Sequence, residues 1–217
     1  MVTGLAMFVT SQADIWIIGS LLDEGSVAVY GAAVKLVQLV AIPLMITNAV
    51  LPSIISALKA RGDLMMLEKV LRVTALVSGI PAFLMLFVIM FNAEQILGLV
   101  YGEYYKAGSN VLMIVSIGQI INVAAGAGMV VLMVVGLQLF AMYSSLVAGV
   151  VLVIAGIFAA RNFGIEGVSM VVSIVLALQA VFVLFVVKVK VGVWSHIGFD
   201  GVGSLLKYIK SRGVISE

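Results

Sequence analysis

Cysteine is missing from the 217-residue chain and histidine occurs once. The first absence excludes disulfides, thiolate metal sites and cysteine nucleophiles. The single His196 lies in the C-terminal tail, which excludes a histidine-cluster metal site. Charge is the next scarcity: 10% of residues are charged and 64% are apolar. Soluble domains run about 25% charged and about 45–50% apolar. Twelve cations and ten acids cannot clothe a chain of this length in a water-soluble surface. A soluble enzyme, a nucleic-acid binder and a disordered protein are thereby excluded, and a net charge of +2 points to no polyanionic partner. Paired carboxylates, a nucleophile elbow and a Gly-rich phosphate loop are all missing, so neither catalysis nor a cofactor is expected. What remains is an integral membrane protein. Its start lacks a basic n-region, and the first apolar run continues past Asp14 with no cleavage signal, so no cleavable signal peptide is expected.

What is present is apolar runs of membrane-spanning length. A helical span needs about 20 residues. Six are expected, at 4–22, 27–51, 70–91, 109–135, 139–160 and 164–187, forming one all-α bundle over 1–187. Backbone groups in lipid must be satisfied within their own segment, so these runs are read as helices. The alternation of a barrel strand is missing. Residues 188–217 form a basic tail. In it Leu205, Leu206, Tyr208 and Ile209 alternate with Lys207, Lys210 and Arg212, the pattern of a short interfacial helix. Trp194 is a second interfacial anchor.

Cations set the orientation. With six spans, Lys59, Arg61, Lys69, Arg72, Lys188, Lys190, Lys207, Lys210 and Arg212 fall on one side, and only Lys106 and Arg161 on the other. Both termini are therefore expected in the cytoplasm.

Polar groups inside spans are costly and usually turn toward a cavity or a partner. Asp14 and Lys35 stand equally far from the first hairpin tip, at a depth of about 12 Å. Three arrangements follow: an ion pair across the hairpin, separate contacts with a water-filled path, or Lys35 snorkelling to the outer surface. Gln38 shares a face with Lys35. Ser116, Gln119 and Asn122, at i, i+3 and i+6, form one polar stripe that either lines a cavity or bonds a neighbouring helix. Pro43 and the Gly79–Pro81 pair mark expected kinks. The run Gly126-Ala127-Gly128 marks a bend or a close helix approach.

Several segments resemble one family. They are Ala13-Asp14-Ile15-Trp16-Ile17-Ile18-Gly19, Val27 to Leu36, Leu51 to Lys59 with Gly62-Asp63, Val100 to Gly108, Gly118-Gln119-Ile120-Ile121-Asn122 and Phe163 to Val168. In order and spacing, over roughly residues 10–190, they are similar to the C-terminal half of bacterial polysaccharide exporters. These include the O-antigen flippases of the multidrug/oligosaccharidyl-lipid/polysaccharide superfamily. The resemblance implies the second six-helix bundle of a transporter with twelve or more helices, in the bacterial inner membrane. It also implies a substrate, polyprenyl-diphosphate-linked oligosaccharide, flipped between leaflets. The partners expected are that lipid-linked glycan, membrane lipid, and a first six-helix half or a second copy of this chain. A multidrug-type cation antiporter half and a non-transporting remnant are the other readings. On the first reading Lys35 meets a diphosphate or acidic sugar and Asp14 couples an ion.

Overall fold

The computed structural model describes residues 2–198, with side chains described from Gln12 onward. The expected interfacial helix at 205–212 lies outside the described residues. Within them the chain is helical in order: α1 (Val2–Leu21), α2 (Glu24–Leu39), α3 (Ile42–Ala60), α4 (Leu64–Phe91), α5 (Ala93–Tyr101), a 3-10 turn (Glu103–Gly108), α6 (Ser109–Ala125), α7 (Gly128–Val135) and α8 (Gln138–Val191). Four stretches are long and apolar enough to cross a membrane: Ile42–Ala60, Leu64–Phe91, Glu103–Ala125 and Gln138–Val191.

The surface is the inverse of a soluble protein's. Met45, Val77, Leu84, Ile154, Phe158, Leu178 and Phe185 are all exposed. Contiguous apolar surface on that scale needs a lipid or protein cover.

Local chemistry sets the helix ends. Asp23 caps α2: its carboxylate accepts from the Ser26 N–H at 3.2 Å and from the Ser26 hydroxyl at 2.6 Å. Those bonds hold its pKa below the ordinary carboxylate value. The cap is therefore intact at neutral pH, and it weakens only as pH falls through that lowered value. Asp63 caps α4 in the same way, through the Met66 N–H at 2.9 Å. Connections are shorter than expected. The stretch 56–69 reduces to the turn 61–63, and 92–108 is almost wholly helical because Ala93 and Leu97 bury one face of α5.

Two of the expected spans are broken in the middle. The run 27–51 divides at Val40-Ala41, just ahead of Pro43. Proline lacks an N–H and fits only the first turn of a helix, so α3 restarts around it. Pro81, by contrast, sits inside α4 without ending it. The run 109–135 divides at Gly126, whose φ of 73° and ψ of −152° suit glycine alone.

A straight α8 of 54 residues would be about 80 Å long, far beyond a bilayer core of about 30 Å. It instead reverses at Gly164, with φ 60° and ψ −146°. Its arms, 138–163 and 165–191, lie against each other, and the Gln179 amide donates to the Ser145 hydroxyl at 3.3 Å.

After α8 the chain turns back into the bundle as a strap, 192–198. The Trp194 N–H donates to the Glu68 carboxylate at 3.1 Å, and the Ile197 N–H donates to the Ala124 carbonyl at 3.1 Å. The Ser195 hydroxyl donates to the Ala125 carbonyl at 3.2 Å, and Arg72 meets the His196 ring at 3.2 Å. Ser195 is fully buried and Trp194 partly so, so this stretch packs against the bundle.

Two apolar cores result. One gathers Ile18 of α1, Tyr30 and Ala33 of α2, Leu86 of α4, Leu97 of α5 and Leu112 of α6, near the α8 reversal at Ala160 and Val168. The other gathers Leu51 and Ile55 of α3, Leu67 and Leu71 of α4, Leu132 of α7 and Val187 of α8, with Val193 of the strap.

A Cβ on Gly126 would collide with the Ser195 carbonyl oxygen, whereas one on Gly136 meets nothing within 4 Å. Gly136→Ala carries only left-handed strain, about 1–2 kcal/mol. Gly126→Ala is expected to lower the thermal midpoint in detergent well beyond Gly136→Ala. Equal losses would show that the strap contributes nothing at that junction.

Candidate functional site

Between the two cores lies a cavity of about 490 Å³. It borders the first core at Val34 and Val172 and the second at Met129. Both helix breaks open on it, through Ala41 where α2 gives way to α3 and through Met129 at the start of α7. Its polar lining is Asp14, Gln38, Gln119, Asn122, Ser145 and Gln179, and among the described residues none that lines it is aromatic. A smaller cavity of about 70 Å³ adjoins it through Asn122, Met129, Leu176 and Gln179, reaching the Gly126–Gly128 break.

Four of the six sequence candidates meet here. Asp14 is 7% exposed and accepts from the Tyr30 hydroxyl at 2.6 Å. It also accepts from the Ile15 N–H at 2.9 Å. Gln38 faces the cavity from α2. Gln119 and Asn122 face it from α6, the Asn122 amide lying 3.4 Å from the Gln119 oxygen.

The other two candidates lie elsewhere. Lys35 stands exposed on α2, outside the lining, and Asp14 takes Tyr30 rather than Lys35 as its partner. The reason is register. The turn is only Leu22-Asp23, so the hairpin centres between these two, two residues earlier than the sequence suggests. Tyr30 then sits opposite Asp14, and its long side chain reaches the carboxylate. Ser116 is fully buried and donates to the Leu112 carbonyl at 2.7 Å. Glu166 accepts from Asn110 at 2.8 Å, joining α6 to α8 near the reversal.

Sequence reasoning missed Tyr30, Ser145 and Gln179. Tyr30 stood only within the Val27 to Leu36 segment of the resemblance. Ser145 and Gln179 carried a legible signal: they stand equally far from Asn162, so a tight reversal there brings them to one depth.

The lining has one chemical character. Carboxamides and a serine hydroxyl each offer both donors and acceptors. The single acid already accepts from a phenol. No nucleophile–base pair lies among these groups. The arrangement sets hydrogen-bond donors and acceptors in a space whose other walls are apolar.

The Tyr30–Asp14 bond is buried, and Tyr30→Phe removes one of the two donors to Asp14, at a cost of about 1–3 kcal/mol. A double-mutant cycle of Tyr30→Phe with Asp14→Asn, read by unfolding in detergent, is expected to show a coupling of about 1 kcal/mol. Strictly additive losses would mean that the bond contributes nothing.

The sequence matches the family model described as MatE over residues 1–159. That stretch runs from α1 to near the end of the first α8 arm and holds most of the cavity wall. No curated protein and no solved structure matches the chain. Spanning helices, a polar cavity at two helix breaks and a match covering most of the chain agree: the chain belongs to the MatE family, whose members are membrane transporters.

Proposed function

We propose that this chain moves a lipid-linked oligosaccharide across the bacterial inner membrane, as one six-span bundle of a larger transporter. The observation that carries the reading is the cavity lining. Gln38, Gln119, Asn122, Gln179 and Ser145 present paired donors and acceptors, which match sugar hydroxyls. In the six-span reading α2 with α3, and α6 with α7, are single broken crossings, and the arms of α8 are two more. Both termini are then cytoplasmic.

Broken helices in membrane proteins are tolerated where they line cavities, and binding sites sit beside them. The sugar-bearing head occupies the cavity and the hydrocarbon chain stays outside it. Lys35 supports the larger assembly. An ammonium exposed on α2 at membrane depth needs a polar cover, which a first bundle or a second copy of this chain would supply. Placed at such an interface, it would meet the diphosphate.

A multidrug-type cation antiporter is the second reading, equally compatible with the family, and the buried Asp14 favours it. A cation site, however, gains from aromatic faces, and the lining has none among the described residues.

The deciding experiment is gene deletion in the native host, complemented with the wild type, Gln119→Leu, or Asn122→Leu. Loss of surface polysaccharide with drug sensitivity unchanged is the expected outcome, and each variant should restore less than about a tenth of the wild-type polysaccharide. Raised drug sensitivity with polysaccharide intact would replace this reading with the antiporter. No change in either would leave a non-transporting subunit.

A further inference from the structure

A separate space opens at the end of the bundle where α4 begins and α8 stops. It measures about 340 Å³ and lies between one face of α4, from Leu64 to Arg72, and Gly192 and Val193 of the strap. It shares no lining residue with the polar cavity. Charge in this space does not balance. The acid in its wall is Glu68, and that carboxylate is engaged: it accepts the Trp194 N–H at 3.1 Å and stands 4.0 Å from the Arg72 guanidinium. Two cations, Lys69 and Arg72, share the wall with it. A third stands at the rim, because the Lys188 ammonium donates to the carbonyl of Gly192, a wall residue, at 3.2 Å.

Lys69 is half-buried and has no acceptor or ion-pair partner among the described residues. A cation at such a place calls for a counter-charge, since charged groups in membrane proteins pair with one another or with a ligand. Beside the cations the wall turns apolar. Leu64 and Met65 are exposed, Met65 to 73%. The indole of Trp194 lies against Lys188, 5.1 Å from ammonium to ring centre, and indoles favour the boundary between water and hydrocarbon. Cations within, hydrocarbon at the edge and an indole alongside describe a receptor for an amphiphile with an anionic head.

We propose that this pocket is a binding site for the phosphodiester head of an anionic phospholipid. The phosphate meets Lys69, Arg72 and Lys188, and the acyl chains run along Leu64 and Met65. The charge count selects the occupant. Three cations face one acid, so a zwitterionic head would bring an ammonium of its own toward cations that lack counter-charge. A free phosphate would use the cations and leave the exposed Leu64 and Met65 without a partner. The pocket lies on the cation-rich end of the bundle, and basic pockets between spanning helices suit anionic lipid heads. The site is independent of the cargo that the transporter carries. Its walls belong half to α4 and half to the strap, so a phosphate seated here bridges the two and holds the strap against α4.

The test titrates the full chain, purified in detergent, with dioleoyl phosphatidylglycerol or dioleoyl phosphatidylcholine and reads bound lipid by native mass spectrometry. Phosphatidylglycerol is expected to bind at least about tenfold more tightly. Lys69→Gln should weaken it about fivefold, and Lys69→Gln with Lys188→Gln about thirtyfold. Met65→Glu sets a carboxylate at the exposed edge, leaves all three cations in place, and should weaken binding about fivefold as well. Arg61→Gln removes a cation at the same end but outside the pocket, and should change nothing. Excess inorganic phosphate should not displace the lipid. Bound phosphatidylglycerol should also slow hydrogen exchange at the Trp194 and Ile197 amides of the strap. Equal binding of phosphatidylcholine would reduce the pocket to ordinary lipid contact and overturn the proposal. A loss in Arg61→Gln as large as in Lys69→Gln would replace the site with diffuse surface charge. Displacement by inorganic phosphate would make the ligand a soluble anion and overturn the lipid. Selective binding with unchanged exchange in the strap would overturn the bridging role.

Discussion

A helix that stops inside an apolar medium leaves carbonyls without partners, and in hydrocarbon each such group costs several kcal/mol. The break at the end of α6 meets that demand through the strap. The Ala124 carbonyl accepts the Ile197 N–H and the Ala125 carbonyl accepts the Ser195 hydroxyl. Much else depends on this pairing. It lets α6 end at the level of the cavity, lets Gly126 swing the chain into α7, and leaves Asn122 facing open space. The strap is held in turn by α4, through Glu68 and Arg72. Three elements far apart in sequence thus fix one end of the cavity.

The cavity exists because the apolar residues condense into two cores rather than one. Each core is densely filled with Leu, Ile and Val, and each has its own helix ends. Between them the side chains are amides, small residues and the Asp14–Tyr30 pair. Breaks at Val40-Ala41 and at Gly126 both fall at this level. The two ends of the bundle are consequently joined by few continuous helices, chiefly α4 and the arms of α8. A transporter needs that division, since an interior site must be opened from one end without unpacking the other.

Much of this was legible in the sequence because hydropathy and helix breakers act locally. Pro43 and Gly126 announced their breaks. Composition alone announced the membrane. The stripe on α6 was legible only in part. Residues three apart on a helix drift by about 60° around its axis. Gln119 and Asn122 therefore share the cavity, while Ser116 rotates into packing. The pairing of Asp14 depended on the length of a two-residue turn, which sequence reasoning overestimated, and so Tyr30 went unnoticed. The strap was illegible for a different reason. Its bonds are mainly backbone to backbone or backbone to side chain, across separations such as 126 residues, and no local pattern encodes them.

The reversal of α8 has one further consequence, for how this region tolerates change in chain length. Its arms are joined at Gly164 with no intervening loop. Adding one residue there would rotate the whole second arm by about 100° and advance it by about 1.5 Å relative to the first. Gln179 would leave Ser145, and its amide would turn toward lipid or core. Substitutions near the tip disturb only their own surroundings, but an insertion or deletion of a single codon rewrites every contact along 165–191. The spacing of this hairpin is therefore fixed far more tightly than the identity of most of its residues.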